Sequence, residues 1–362
     1  MYLNKLLLTH FKNYSSGEFQ FHENVNCILG NNGSGKTNLL DAIHYLSFCK
    51  SYFNAQDIFS VQFGSDFFAI HGDFYADYDQ NATNRISCLL KNGRKIMKNN
   101  QKEYDRLSDH IGLYPLIMVS PYDNDIINEG SDVRRKFFDI IISQSDREYL
   151  AHLINYQKVI HQRNTLLKQL LNREHYNTDL LQIYNDQMVP LANHIYKKRK
   201  DFISHIIVGF KKYYDYLSRN QETVDIIYES QLEEVSMEIG LQSIEVQDLR
   251  SGYSNFGIHK DDFKFLINQN ILKRFGSQGQ QKSYALALKL AQYDYVYETK
   301  KSKPLLLLDD IFDKLDAHRI NQLLELVGKH HFGQVFITDT DEIRIKEILK
   351  KHDIEHSIIR IE

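Results

Sequence analysis

Eight consecutive residues, Gly30-Asn31-Asn32-Gly33-Ser34-Gly35-Lys36-Thr37, fit the pattern G-x-x-x-x-G-K-[ST]. Binding phosphate requires this arrangement. Glycines let backbone N–H groups curl around an anion, and the start of a following helix adds partial positive charge. In that frame Lys36 reaches the β- and γ-phosphates of a nucleoside triphosphate such as ATP, and the Thr37 hydroxyl ligates Mg²⁺. The flanks agree. Val25 to Leu29 is a short apolar strand leading into the loop, and Leu39, Leu40, Ile43, Leu46 and Phe48 follow at helical spacing.

A loop of this kind needs a carboxylate at the end of a neighbouring buried strand to hold the metal. Leu305-Leu306-Leu307-Leu308-Asp309-Asp310 supplies four apolar residues and then two acids where the strand leaves the core. A third element, Phe275-Gly276-Ser277-Gln278-Gly279-Gln280-Gln281, stands just before a helix running from Lys282 to Tyr295. Two readings of it are open. Ser277 is an N-cap beside a flexible Gly279, or Ser277, Gly279 and Gln280 form a second phosphate-facing surface. Within one subunit the second surface would duplicate the loop, so it makes sense as a cap on nucleotide held by another subunit.

Lys36 and Asp309 lie 273 positions apart (309 − 36), yet their strands must share one sheet. A structureless connection of that length is implausible. The sequence therefore predicts an α/β fold, a P-loop ATPase head of the ABC type assembled from both ends of the chain. Residues 1–125 and 255–362 form the head, and a mainly helical domain, 126–254, is inserted. Within the head, Tyr2 to Leu8 and Phe19 to Phe21 are strand-like. Asn92-Gly93 lies between two strand-like runs as a hairpin turn. Val335 to Thr338 is a further buried strand. In the insert, Leu191, Ile195, Phe202, Ile206 and Phe210 mark one helix face, with Pro190 near the start. Heptads drawn through Leu153, Ile160 and Leu167 alternate with Gln157 and Asn164, too polar for a long coiled-coil arm.

Composition bounds the function classes. The chain has 362 residues, 42% hydrophobic and 25% charged, which suits a globular protein of two domains. No apolar run approaches the roughly 18 residues needed to cross a bilayer. Met1 to Tyr14 reads as no signal peptide, so no membrane association and a cytoplasmic location are expected. Cys27, Cys49 and Cys88 are widely spaced, as buried reduced thiols would be, and the histidines show no metal-binding motif. A net charge of −3 leaves phosphate-backbone binding to local basic patches. Lys197-Lys198-Arg199-Lys200 with Lys211-Lys212, Arg134-Arg135-Lys136, and Lys91, Arg94 and Lys95 are such patches. Each is equally a solvated face.

The blocks Leu8-Thr9-His10-Phe11-Lys12-Asn13-Tyr14, Asn38-Leu39-Leu40-Asp41-Ala42-Ile43, Met118-Val119-Ser120-Pro121, Arg134-Arg135 and Gly257-Ile258-His259-Lys260-Asp261-Asp262 resemble the RecF family. So do Ser277-Gln278-Gly279-Gln280-Gln281 and Leu307-Leu308-Asp309-Asp310. The blocks run from end to end of the chain. The resemblance implies an SMC-like ABC ATPase without the long arm. Such a protein dimerises on duplex or gapped DNA when ATP is bound, hydrolyses ATP slowly, and works with RecO and RecR in loading RecA at gaps. By position, Lys36, Thr37 and Asp309 would hold ATP and Mg²⁺, and Asp310 would orient or deprotonate the attacking water. Ser277 and Gly279 would complete the partner's site, and Asp313-Lys314-Leu315-Asp316 would cross the dimer interface. Lys12 and Lys260 stand where the family usually has Arg, Ile258 where it has Pro, and Asp313 where it often has Ser. If Lys12 touches phosphate, a bidentate fork is lost. The alternative classes are a transporter's nucleotide-binding subunit, disfavoured because L-S-G-G-Q is absent, and an SMC-like ATPase serving a nuclease. An appended nuclease is not expected, since the chain ends soon after the head closes.

Overall fold

The computed structural model describes residues 1–76, 79–171, 179–218, 222–312 and 316–362, with side chains for all of these except 76 and 79–82. The chain groups into two units. The first comprises Met1–Asn124, Tyr213–Arg219 and Lys282–Glu362, and the second Asp125–Lys212 and Asn220–Gln281.

In the first unit, β1 (Tyr2–Phe11), β2 (Tyr14–Gln20), β4 (Phe67–Ala76), β5 (Asp79–Lys91), β6 (Arg94–Asn99) and β7 (Lys102–Glu103) make an antiparallel sheet in the order β2-β1-β4-β5-β6-β7. The buried side chains of β1 are Leu3, Leu6, Leu8 and Phe11. The step from odd to even numbering coincides with a register shift between Leu3 and Lys5, where the extra residue of a bulge re-aims the strand. Asn92 and Gly93 both have positive φ, 50° and 72°, and close the β5–β6 hairpin as the Asn-Gly pair requires.

A second sheet of this unit is wholly parallel. Its order is β14-β3-β13-β12-β8, from β3 (Val25–Leu29), β8 (Leu116–Val119), β12 (Leu305–Leu308), β13 (Val335–Asp339) and β14 (His356–Arg360). β3, β8, β12 and β13 are buried at every residue, so their continuous apolar runs reflect a sheet covered on both faces. Helix α1 (Lys36–Phe48) packs against strands of both sheets. It is accordingly apolar almost all round, with Leu39, Leu40, Ala42, Ile43, Tyr45 and Leu46 fully buried. The carboxyl ends of β3, β12 and β13 lie together, since Leu308 pairs with Ile337 and Leu29 with Asp339. Ligands of open α/β sheets bind along such an edge.

The second unit holds α2 (Asp125–Asn128), α3 (Ser131–Ser145), α4 (Arg147–Leu170), most of α5 (Asp179–Ser218), α6 (Met237–Ser243), α7 (Glu245–Ser251) and α8 (Leu272–Phe275). It also holds an antiparallel sheet, β11-β10-β9, built from β9 (Val224–Glu229), β10 (Asp262–Ile267) and β11 (Asn270–Ile271). The boundary thus differs from the expected one. Residues 255–281 group with the inserted part because β10 pairs with β9 rather than with any strand of the first unit. Pro190 lies inside α5, not near its start, and is exposed. An exposed turn leaves water to satisfy the carbonyl that loses its N–H partner. The buried stripe of α4 runs through Tyr149, Leu153, Tyr156, Val159, Arg163, Leu167 and Leu170, so a charged residue belongs to it while Gln157, Ile160 and Asn164 of the drawn heptads do not. Helix α9 (Gln278–Lys300) begins in the second unit and runs into the first, which it shares with α10 (Ala317–Gly328) and α11 (Glu342–Lys351). No helix of the described residues is long and apolar enough to cross a membrane.

Candidate nucleotide site

The loop between β3 and α1 has the conformation its glycines permit. Gly33 and Gly35 sit at φ 83° and 114°, a region that side chains rarely adopt. A Cβ on Gly35 would fall 2.4 Å from the Asn13 amide, and one on Gly30 2.4 Å from the Ile361 carbonyl. Asn13 of the β1–β2 turn and Tyr14 at the start of β2 grip the loop. Asn13 Nδ2 donates to the Ser34 carbonyl at 3.0 Å and Tyr14 Oη to the Gly35 carbonyl at 3.0 Å. Asn38 in turn donates to Asn13 Oδ1 at 2.8 Å. The Lys36 ammonium folds back onto the Gly30 and Asn31 carbonyls at 2.7 and 2.9 Å, which keeps it over the loop's concave side. Asn31, Asn32 and Gly33 form its exposed tip.

The start of α1 is left ready for an anion. No side chain caps it and its first turn holds no acid, whereas α4, α10 and α11 are capped by Asp146, Asp316 and Asp341. Ser34 Oγ is buried with no hydrogen-bond partner among the described residues. An uncapped helix start, an orphaned hydroxyl and glycines at the points of closest approach all fit a bound phosphate.

Across the sheet edge, Thr37 Oγ1 lies 3.0 and 3.1 Å from the two carboxylate oxygens of Asp309. The sequence-expected pair of metal ligands is therefore brought together. Strand β13, between β3 and β12, adds a residue that the motifs do not reveal. Thr338 Oγ1 donates to Asp309 Oδ1 at 2.9 Å and accepts from the Asp310 backbone N–H at 2.9 Å. The only sequence signal for it is a polar residue at the end of a buried strand. Burial pushes the Asp309 carboxyl above its ordinary pKa, opposed by the Thr338 and Thr37 hydrogen bonds. Such an acid gains from a cation beside it, as Mg²⁺ chemistry requires. Asp310 is half-buried at φ 49°, and with Asp309, Ser120, Asp123 and Lys282 it lines a cavity.

Ser277 and Gln280 form a reciprocal capping box at the start of α9. Gln280 N–H donates to Ser277 Oγ at 3.3 Å and Ser277 N–H to Gln280 Oε1 at 2.6 Å. Gln280 Nε2 also donates to Glu222 at 2.7 Å. The capping reading is thus realised in the chain itself. Ser277 remains exposed and, as the acceptor in this bond, keeps its own proton to donate.

The basic patches are largely neutralised. Arg199 is buried and paired with Asp139 at 2.9 Å and Asp261 at 2.7 Å, so it is a core residue of the second unit. Lys198 pairs with Asp146, Lys200 with Glu233, Lys211 with Asp225, Arg134 with Asp262 and Lys95 with Asp57. Lys136, Lys197 and Lys212 are exposed, with no ion pair among the described residues. Lys12 touches Asp41 at 2.6 Å, an acid that also accepts from Ser51 Oγ and the Tyr52 N–H. It braces α1. The three cysteines are free and buried. Asp313, Lys314 and Leu315 lie outside the described residues, while Asp316 caps α10.

Comparison with known proteins decides the family. The family model described as RecF/RecN/SMC N terminal domain matches residues 2–104. The chain is 44% identical to the DNA replication and repair protein RecF of Flavobacterium johnsoniae over the full length of both. It is 44% identical to that of Bacteroides fragilis, covering 100% of this chain and 97% of the relative. The chain belongs to the RecF family. A solved structure described as the recombination mediator protein RecF-ATPrS in the RecFOR pathway matches with TM-score 0.88 at 31% identity, covering 100% of this chain and 96% of that one. An Smc head bound to the C-winged helix domain of ScpA matches with TM-score 0.57 at 15% identity, covering 96% of this chain and 91% of that one, a likeness of fold alone. The fold is that of an α/β ABC-type ATPase head, in a family of DNA replication and repair proteins.

Proposed function

We propose that the chain is an ATP-dependent DNA-binding protein of recombinational repair, in which slow, DNA-stimulated ATP hydrolysis serves as a dimerisation switch. The observation that carries this reading is the meeting of Thr37 and Asp309 beside the Lys36 loop, at hydrogen-bond distance though 272 positions apart in sequence. In it, Gly30, Asn31, Asn32, Gly33, Ser34, Gly35 and Lys36 hold the triphosphate of ATP, and Thr37 and Asp309 hold Mg²⁺. Bound there, Mg²⁺ would neutralise phosphate charge. Asp310 orients or deprotonates the attacking water. Ser277, Gly279 and Gln280 close the site of a second copy. Solved relatives described as RecF-ATP and as belonging to the RecFOR pathway support ATP as the nucleotide and RecO and RecR as partners.

The test separates the three roles. Lys36→Ala removes a charged donor worth about 1.5–3 kcal/mol, so ATP affinity should fall roughly ten- to a hundredfold in a fluorescent-nucleotide titration. Asp309→Asn should weaken Mg²⁺-dependent binding and turnover. Asp310→Asn should bind ATP as the parent does and not hydrolyse it. Parental affinity in Lys36→Ala, or parental hydrolysis in both aspartate variants, would remove the assignment. ATPase rates with and without duplex DNA test the DNA dependence.

A further inference from the structure

In the second unit, three side chains with no assigned role toward nucleotide, of two metal-binding types, converge. Glu148 and His152 lie one turn apart on α4, and His194 stands on α5. One ligand atom from each lies within 4.8 Å of the other two. The two imidazoles stack with centroids 4.1 Å apart. We propose that Glu148, His152 and His194 form a binding site for a divalent transition metal of the Zn²⁺ class, clasping α4 to α5.

Two independent hydrogen-bond observations support a ligand here. His152 Nδ1 lies 2.9 Å from the Glu148 backbone carbonyl, so Nδ1–H is the donor and Nε2 keeps its lone pair. Protein zinc sites orient their histidines in this way. His194 Nε2 is buried and has no hydrogen-bond partner among the described residues. A buried imidazole nitrogen without a partner is costly unless something fills the place, and a metal ion does so. Two imidazoles and one carboxylate are a donor set that zinc takes, with a fourth position left to water. Stacked rings aim their in-plane lone pairs side by side rather than at one point, so binding requires the two rings to turn out of their stack. That movement is a side-chain rotation at half-exposed residues, with Glu148 exposed as the entry side. Lys198, one turn beyond His194, is neutralised by Asp146 and does not oppose a cation.

The experiment uses the full chain without a histidine tag, stripped with chelator and titrated with Zn²⁺ against a chromophoric competitor. One equivalent should bind to the parent. His194→Ala, His152→Ala and the milder Glu148→Gln should each bind at least about tenfold more weakly, since even outer-shell changes cost that much. Zn²⁺ should raise the melting temperature of the parent and not of His194→Ala. Co²⁺ should give visible ligand-field bands without thiolate charge transfer, which excludes the cysteines as the site. Glu148→Gln is exposed and isosteric, so its fold is kept if either alanine variant misfolds. Zn²⁺ binding by the parent that matches the His152→Ala/His194→Ala double variant, or a Co²⁺ spectrum with thiolate bands, overturns the site.

Discussion

The ammonium of Lys36 and the carboxylate of Asp309 depend on neighbours that differ in how readable they are. Lys36 belongs to a motif whose spacing is dictated by the shape of a phosphate, so eight letters announce it. Thr338 belongs to no motif. It is fixed only when β13 is laid between β3 and β12, which is a fact of sheet order and not of sequence. Yet it holds both acids, one through its proton and the other through its lone pair. Thr338→Val keeps the shape and removes both bonds. A hydrogen bond to a charged group contributes about 1.5–3 kcal/mol, so the Mg²⁺ concentration giving half-maximal ATP hydrolysis should rise by about tenfold or more. Nucleotide binding without metal should be kept, because Lys36 is untouched. Hydrolysis assayed across Mg²⁺ concentrations measures this, and an unchanged dependence would reduce Thr338 to packing.

At the scale of elements, the parallel strands were legible as apolar runs and α1 as a helix following a phosphate loop. The inserted unit was less so, because its core contains charges. Arg163 and Arg199 are buried, bonded to Asp248, Asn185 and Ser254 in one case and to Asp139 and Asp261 in the other. Hydrophobic periodicity passes over such residues, so Arg199 read as part of a basic surface. Buried imidazoles are equally invisible in sequence, and they carry a pH dependence. His44 on α1 and His259 in the second unit are both pushed down to about 4, chiefly by burial. In the unfolded chain they take up protons below about pH 6.5. Between those values the unfolded state binds more protons, so stability is full above about pH 6.5 and falls as pH drops to about 4. The loss is on the order of 3 kcal/mol per histidine. The raised carboxyls of Asp309 and Asp261 act in the opposite sense, so the difference between parent and variant isolates the effect. Urea unfolding at pH 7.5, 6 and 5 should show a shallower acid loss in His259→Gln than in the parent. Parallel curves would mean that His259 titrates normally.

At the scale of the whole chain, the distance between Lys36 and Asp309 already required a head built from both ends. The expected boundary at 255 failed because β9 and β10 pair across the insertion, and pairing between distant strands leaves no mark on either one alone. Ser277 is the residue whose two readings meet at this scale. It caps its own helix, and its exposed hydroxyl keeps a proton to donate. If that hydroxyl closes the site of a second copy, ATP with Mg²⁺ should convert monomer to dimer, and ADP should not. Ser277→Arg sacrifices the cap, a cost of about 1 kcal/mol, which is small for a 23-residue helix with a dozen buried residues. It also sets a bulky cation on the surface that would meet the partner. The variant should therefore bind ATP as a monomer and fail to dimerise. Asp310→Asn should do the reverse and accumulate dimer, because hydrolysis is what opens it. Duplex DNA should favour the dimer if Lys136, Lys197 and Lys212 of two copies contribute to one track, and that gain should fall steeply with salt as counterions are released. Sedimentation velocity of the parent and both variants with each nucleotide measures all of this. A parent that stays monomeric with ATP and DNA, or a Ser277→Arg variant that dimerises fully, leaves the capping box as the whole role of this segment.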